Sequence, residues 1–155
     1  MAAMVQIREM TLDDLEQVMV IERENFSAPW TENGFFSFLL RQDTLFLTAE
    51  EDGRVVGYCG AVLVPDEGDV TNVSVSRGCQ GQGIGRALVQ ELVGRAAAAG
   101  VARLYLEVRR SNARALRLYG GLGFEQTGIR KNYYEEPVED AVLMCRNCTD
   151  SLSHV

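Results

Sequence analysis

The alternation of hydrophobic and polar residues divides the first third of the chain into a strand and two helices. "VQIREM" alternates residue by residue, which predicts an opening strand, and "TLDDLEQVMVIEREN" then repeats its apolar residues at helical spacing. Thr11, followed three residues later by Asp14, is typical of a capping box at a helix N-terminus. The segment "FSAPW" interrupts the pattern, and Thr31 can cap a second helix in "ENGFFSFLLRQ".

The remaining pattern predicts strands separated by two further helices. "TLFLTAE" and "VVGYCGAVLV" flank the hairpin turn signal Asp52-Gly53, and "VTNVSV" is a third strand. "GRALVQELVGRAAAAG" predicts a helix, "ARLYLEV" a strand, "SNARALRLYGGLGF" another helix, and two strands follow near "FEQTGIR" and "AVLMCR". Strand, helix and strand in succession imply a right-handed parallel crossover. The expected fold is therefore a mixed α/β sheet.

Length and composition fit one domain. The chain has 155 residues, of which 46% are hydrophobic and 24% charged, so we expect one domain over residues 1–147 and a flexible polar tail over residues 148–155. No apolar run approaches the ~20 residues of a membrane span, and the start of the chain lacks a secretory signal pattern, which favours the cytoplasm. The net charge of −7 argues against nucleic acid as partner and favours a basic one.

The cysteines do not indicate a metal centre or a disulfide framework. Cys145 and Cys148 form a lone CxxC, and the only histidine in the chain, His154, cannot complete a zinc site with them. We therefore expect no metal, and we interpret the two cysteines as unrelated thiols.

The stretch "CQGQGIGRAL" places three glycines, Gly81, Gly83 and Gly85, directly before a predicted helix. Glycine inside a helix costs about 1 kcal/mol relative to alanine, so three of them need a reason. A helix N-terminus carries unpaired N–H groups and a partial positive charge, and glycines let an anion approach the backbone. The stretch therefore indicates a phosphate cradle, the alternative being a tight strand-to-helix turn.

Two common phosphate motifs fit poorly. A P-loop requires a lysine that is missing here, and a dinucleotide loop requires a third glycine where this chain has Arg86. Glu107, which ends the next strand, stands about where a ribose-binding carboxylate would. Against a dinucleotide fold, the sequence supplies one crossover and not a doubly wound series.

The segment "QGQGIGRAL" resembles the acetyl-CoA loop of the GNAT N-acetyltransferases. The segments "VTNVSV", "LEVRRSNARALRLYGGLGF", "FSAPW" and "RKNYY" are similar to this family in the same order, over roughly residues 5 to 145. They point to the branch that acetylates the N-terminal alanine of ribosomal proteins. The resemblance implies a central, mixed, mostly antiparallel and twisted sheet with helices on both faces.

The resemblance also implies a set of site residues. The pantetheine arm of acetyl-CoA would pair with the strand at 73–75, as in strand addition to an edge, and the pyrophosphate would lie on the glycine loop. The implied cofactor-binding residues are Val73, Ser74, Val75, Gly81, Gln82, Gly83, Ile84, Gly85, Arg86 and Asn112. Asn112 can equally cap the helix that follows it.

Two further residues would carry the chemistry. By resemblance, Glu107 is the general base that takes a proton from the amine through water, and Tyr119 is the general acid toward the leaving thiolate. Trp30, Tyr133 and Tyr134 would wall the acceptor groove. Without the resemblance, Glu107 is a solvated carboxylate at a strand end, and the four aromatic residues are core side chains.

Acid–base energetics favour an α-amine as acceptor. An α-amino group has a pKa near 8 and a lysine near 10.4, so deprotonating lysine at neutral pH is harder by about 3 kcal/mol. The expected activity is N-α-acetylation of a basic ribosomal protein by direct transfer, without nucleic-acid or membrane binding, in a monomer or weak homodimer. Two alternatives stay open, an acetyltransferase for lysines or small amines and a non-catalytic acyl-CoA-binding module.

A basic cluster in "RRSNARALR" complements this picture. Arg109, Arg110, Arg114 and Arg117 lie close together in an otherwise acidic chain. They form either a solvated helical face or a contact for the 3′-phosphate of the cofactor.

Overall fold

A computed structural model describes residues 5–148 and confirms the predicted order of elements. The strands are β1 (Gln6–Glu9), β2 (Thr44–Glu51), β3 (Arg54–Val64), β4 (Glu67–Val75), β5 (Arg103–Arg109), β6 (Glu125–Glu135) and β7 (Val138–Asn147). The helices are α1 (Leu15–Asn25), α2 (Glu32–Leu39), α3 (Ile84–Ala98) and α4 (Ala113–Gly121). Short 3₁₀ turns, Leu12–Asp14 and Arg77–Cys79, precede α1 and the glycine loop.

The seven strands form one sheet in the order β1-β2-β3-β4-β5-β7-β6. Every neighbouring pair is antiparallel except β4 and β5, which are parallel because α3 crosses between them. The predicted α/β class and the mostly antiparallel, mixed sheet are confirmed.

Helices cover both faces of the sheet, as predicted. On one face, α1 and α2 pack on β2 and β3 around Phe35, Phe46 and Tyr58. On the other face, Leu88 and Leu92 of α3 pack on the opposite side chains of β2 and β3. The second side of α3 joins α4, β5 and β7 in a further cluster. Burial on both faces explains the nearly continuous apolar run of β3.

Local signals in the sequence set the helix boundaries. The Asp14 carboxylate accepts from the Thr11 backbone N–H at 2.7 Å, so the capping box forms, although it starts the 3₁₀ turn that leads into α1. Thr31 caps α2 by accepting from the Gly34 N–H at 3.0 Å. Asn112 caps α4 in the same way.

The sheet opens between β4 and β5, and this opening positions the candidate site. The two strands pair only from Glu67–Arg103 to Asp69–Tyr105, although β4 continues to Val75 and β5 to Arg109. An extra residue, Thr71, bulges β4 against β3 just beyond that point. Bulges bend a strand and end its pairing, so β4 turns away from β5 and one of its edges is left open.

The C-terminal end of the described chain is packed. Cys148, the first residue of the expected tail, is buried, and its N–H donates to the Ala102 carbonyl at 2.7 Å. The rest of that expected tail, residues 149–155, lies outside the described residues. Among residues 5–148, no helix has the length and apolarity needed to cross a bilayer.

Candidate active site

A cavity of about 650 Å³ lies between the end of β4, the glycine loop, the start of α3 and one side of α4. We call it the glycine-loop cavity. Its walls include all but one of the residues predicted to bind the cofactor: Val73, Ser74, Val75, Gly81, Gly83, Ile84, Gly85, Arg86 and Asn112. The exception is Gln82, which does not line the cavity. The volume is in the ordinary range for a small-molecule site.

Backbone conformation explains two of the three glycines. Gly81 and Gly83 have φ values of +80° and +83°, a left-handed region that side chains with a Cβ disfavour. Gly83 is also the N-cap of α3, and the first intrahelical bond joins the Ala87 N–H to its carbonyl at 3.0 Å. The N–H groups just before Ala87 therefore have no partner in the helix and lie along the cavity wall. Such a turn favours an anion.

Gly85 is different, because it has an ordinary helical backbone inside the first turn of α3. A Cβ built at this position would lie 3.7 Å from side-chain atoms of Val75 and Leu118, which is ordinary contact. The conformation of the turn therefore does not require a glycine at position 85. The missing side chain leaves space in the cavity that Gly85 lines.

The open edge of β4 lies along the same cavity. Val73–Val75 pair with β3 on one side, while the ladder to β5 has already ended at Asp69. Asn25, the last residue of α1, fixes this segment by donating from Nδ2 to Ser74 Oγ at 2.6 Å and to the Val75 carbonyl at 2.8 Å. Sequence analysis missed Asn25, which nothing but its position at the end of a helix could have signalled.

Tyr119 projects from α4 into this cavity and is 9% exposed. Burial raises the pKa of its phenol well above the usual value. The hydroxyl therefore keeps its proton at any physiological pH. Its ring packs edge-on against Phe124, with centroids 5.6 Å apart.

A second cavity, of about 600 Å³, borders the earlier part of β4 and contains Glu107. We call it the Glu107 cavity. Asp69 and Thr71 of β4, Trp30 and Arg130 also line it. The structure therefore does not place the predicted base and acid in one cavity. It places them in two cavities that follow one another along β4, on either side of Asn72.

Charged and phenolic groups surround Glu107. Arg130 Nη1 lies 3.9 Å from Glu107 Oε1. A hydrogen bond with Glu107 raises the pKa of the Tyr133 phenol, and burial raises that of Tyr134, with the charge of Glu107 adding to it. Burial, and then the charges of Glu107 and Glu67, raise the pKa of Asp69. Sequence analysis missed Asp69 and Arg130, since strand pairing alone brings them to Glu107.

The three aromatic residues predicted to wall the acceptor groove do not all lie in the same cavity. Trp30 lines the Glu107 cavity, and it also stacks on Phe38 with centroids 4.8 Å apart, so it is both wall and core. Tyr133 is 40% exposed and packs against Arg130, which lies beside Glu107, but neither Tyr133 nor Tyr134 is part of the cavity wall.

A buried carboxylate holds Trp30 in place. Glu22, which is 2% exposed, accepts from the Trp30 backbone N–H at 2.9 Å and from the Tyr58 hydroxyl. Burial, followed by the bond to Glu22, raises the pKa of Tyr58 far above its normal value. A glutamate at helical spacing within the apolar stripe of α1 was the available signal.

The basic cluster also divides into two parts. Arg114 and Arg117 line the glycine-loop cavity, and Arg114 donates to Gln80 at 3.2 Å. Arg109 and Arg110 turn instead toward the β6–β7 hairpin, where they pair with Glu139 and Asp140.

The molecule combines a glycine-bearing helix start, an open strand edge beside it, and a mixed sheet that splits between two parallel strands. The model of the Acetyltransferase (GNAT) family matches residues 15–124, and the chain belongs to this family. It is an N-acetyltransferase.

Three comparisons with individual proteins show which members of the family this chain resembles. The chain is 37% identical over 142 residues to the [ribosomal protein bS18]-alanine N-acetyltransferase of Escherichia coli (strain K12), covering 89% of this chain and 94% of that protein. It is 35% identical to the N-alpha-acetyltransferase RimI of Mycobacterium tuberculosis, covering 94% of both chains. The crystal structure of the ribosomal-protein-S18-alanine N-acetyltransferase from Escherichia coli superposes with a TM-score of 0.87 at 35% identity, over 94% of each chain.

Proposed function

We propose that this chain transfers the acetyl group of acetyl-CoA to the N-terminal amine of a ribosomal protein that begins with alanine. The observation that carries the proposal is the opening between β4 and β5, bordered by the glycine-loop cavity on one stretch of β4 and by the Glu107 cavity on the other. A two-substrate transfer needs two adjoining sites of this kind. The names of the relatives supply the acceptor.

The glycine-loop cavity suits acetyl-CoA in shape and charge. The pyrophosphate would sit on the N–H groups at the start of α3, where the left-handed Gly81 and Gly83 let the backbone approach it. Arg86, Arg114 and Arg117 in the cavity wall supply further positive charge. The pantetheine amides would pair with the open edge at Val73–Val75, which directs the thioester toward the gap between the strands.

The transfer itself needs three groups. Glu107, acting through water, takes the proton of the acceptor ammonium, and the free amine attacks the thioester carbonyl carbon. A backbone N–H near Val75 donates to the oxyanion that forms. Burial raises the pKa of the Tyr119 phenol, so its proton is present when the carbon–sulfur bond breaks and the thiolate takes it. The nitrogen then loses the second proton that it carries after attack, and the Tyr119 phenolate is reprotonated from solvent. The products are an N-acetylated peptide and CoA.

The Glu107 cavity suits a cationic acceptor. Asp69 and Glu107 both line it, and the whole chain carries a net charge of −7. An α-ammonium entering this cavity gains from the carboxylates, and its low pKa lets one glutamate deprotonate it. Basic residues further along the acceptor would gain from the acidic surface.

The proposal is tested by measuring CoA release with two matched peptides. One begins with a free alanine and copies a ribosomal-protein N-terminus, while the other has that terminus blocked and carries one internal lysine. We expect turnover on the first alone, and a loss of about 10²-fold or more with Glu107→Gln. The exposed Glu125→Gln is the control, because Glu125 lines neither cavity.

The other outcomes separate the alternatives. Turnover on the lysine peptide overturns the N-terminal acceptor but not the acetyltransferase. Tight acetyl-CoA binding without transfer to any amine indicates a binding module. Glu107→Gln with full activity removes Glu107 as the base.

A further inference from the structure

We propose that Arg109 is a positioning residue that fixes the β6–β7 hairpin over the acceptor side of the site and thereby sets the affinity for the acceptor peptide. The proposal rests on the function proposed above, and it assigns a specific task to an arginine outside both cavities. No atom of Arg109 needs to touch either substrate.

Arg109 binds the tip of the β6–β7 hairpin through both terminal nitrogens of its guanidinium. Nη1 donates to the Pro137 carbonyl at 3.1 Å and to Glu139 Oε1 at 3.2 Å, and Nη2 donates to the Glu136 carbonyl at 3.2 Å. The same guanidinium lies over the Tyr134 ring, 4.2 Å from its centroid. Four contacts to one loop use the planar fork of an arginine in a way that a lysine cannot reproduce.

Glu139 extends this grip to a third element. Its second oxygen, Oε2, accepts from the Ser111 backbone N–H at 2.6 Å, directly before α4 begins. Hydrogen bonding from Ser111, first from its side chain and then from its backbone, together with Arg109, lowers the pKa of Glu139 against the opposing effect of burial, so the carboxylate stays ionised at neutral pH. One ion pair thus joins β5, which carries Glu107, to the start of α4, which carries Tyr119, and to the hairpin.

The hairpin reaches the proposed base through its two tyrosines. Tyr134, under the guanidinium of Arg109, packs edge-on against Tyr133 with centroids 5.0 Å apart. Tyr133 in turn lies under Arg130, whose guanidinium is 5.2 Å from the Tyr133 ring centroid and whose Nη1 is 3.9 Å from Glu107 Oε1. Freeing the hairpin therefore loosens Tyr133 and Arg130 beside Glu107, while the glycine loop is left untouched.

The discriminating experiment separates the two substrates kinetically in Arg109→Gln, Arg109→Lys and the control Arg103→Gln. Arg103 is exposed at the opposite end of β5. We expect Arg109→Gln to raise the KM for the alanine peptide about tenfold, with kcat and the KM for acetyl-CoA within about twofold. Arg109→Lys should recover part of the loss, because it restores the charge but not the fork. Arg103→Gln should match the wild type.

Amide hydrogen exchange supplies a readout that does not depend on turnover. In Arg109→Gln, the amides of residues 133–136 and of Val138 should exchange faster, while those of β4 and α3 stay as in the wild type. An unchanged acceptor KM, or equal losses for both substrates, overturns the proposal. If Arg109→Gln does not fold, Arg109→Lys and Glu139→Gln carry the same comparison. A wild type that acetylates no α-amine counts against the proposed function alone, and hydrogen exchange then decides whether Arg109 holds the hairpin.

Discussion

The two cavities that meet along β4 are built in different ways. The glycine-loop cavity is shaped by backbone: two left-handed glycines, the first turn of α3 and an open strand edge. The Glu107 cavity is shaped by side chains whose partners lie far away in the sequence, such as Arg130 near Glu107. The backbone conformation fixes the shape of the first cavity, whereas the charges of side chains, which substitutions can change, set the character of the second.

This difference suggests a division of labour. A seat made of backbone N–H groups suits a ligand that every member of a family shares, because few side chains can alter it. An acceptor region made of charged and aromatic side chains suits a substrate that differs between members, because its chemistry changes with single substitutions. Each prediction below, except the last, disturbs one of the two regions.

The largest effect is expected for Tyr119→Phe, which removes the proposed acid and keeps the ring. Because phenylalanine fills nearly the same volume against Phe124, acetyl-CoA binding and the free energy of unfolding should change little. Loss of general acid catalysis typically costs 10²–10⁴-fold, so kcat should fall by about 10²-fold or more. Steady-state kinetics, with calorimetric titration of CoA, measures both quantities.

The KM for the acceptor peptide in Tyr119→Phe tests whether the two cavities depend on each other. If the KM for the peptide stays constant in Tyr119→Phe, the two cavities act independently. A kcat within twofold of the wild type would show that the leaving thiolate needs no proton from Tyr119.

The next largest effect is expected for Tyr58→Phe, which acts beneath the acceptor side. Tyr58 is fully buried, and its hydroxyl donates to the buried Glu22. Removing this donor leaves a buried carboxylate oxygen without its partner, which should lower the free energy of unfolding by about 2 kcal/mol. Urea denaturation measures the change. Tyr105→Phe is the control, because the Tyr105 hydroxyl is exposed and makes only a long hydrogen bond, of 3.4 Å, to Glu67.

The two substrates should respond to Tyr58→Phe to different degrees. Because Glu22 also binds the Trp30 N–H, Tyr58→Phe should weaken peptide binding more than CoA binding. Equal weakening of both would contradict the separation of the two regions.

The fold was predictable because its signals are local. The turn at Asp52-Gly53, the caps at Thr31 and Asn112, and the glycines at positions 81 and 83 each act within a few residues of themselves. Such signals act through sterics and short hydrogen bonds, which a sequence displays directly.

The surroundings of Glu107 were harder to predict because their contacts are long-range. The bonds from Tyr58 to Glu22 and from Arg109 to Glu139 join residues 36 and 30 positions apart, and no short motif records them. The residues predicted there, Glu107 and the aromatics, came from resemblance to a family. The physical pattern alone left them as ordinary surface or core side chains.

A smaller effect is expected for Gly83→Ala, which tests whether the glycine-loop cavity depends on backbone. Gly83 has a φ of +83°, and nothing lies within 4 Å of a Cβ built there, so any cost is conformational and not a clash. A left-handed alanine costs about 1–2 kcal/mol, which should appear as roughly tenfold weaker CoA binding if the loop moves to relieve it. Gly78→Ala, which also meets no atoms within 4 Å and has no positive φ, should bind like the wild type.

The smallest effect is expected for the stability that is lost in acid when Asp14, just before α1, is protonated. Burial alone would raise the pKa of Asp14, but bonds from Arg8 and Thr11 outweigh it and hold the value below normal. A carboxyl with a lowered pKa contributes stability above its unfolded value, near 3.9, and loses it as the pH falls through the folded value. The wild type should therefore lose at most about 1 kcal/mol between pH 5 and pH 3 through this pair, since solvent screens the partly exposed Arg8. Thermal unfolding of Asp14→Asn over that range should show correspondingly less pH dependence. If the two curves run parallel, Asp14 is not the group that titrates, and the start of α1, the helix that holds Glu22 and Asn25, does not weaken in acid through this pair.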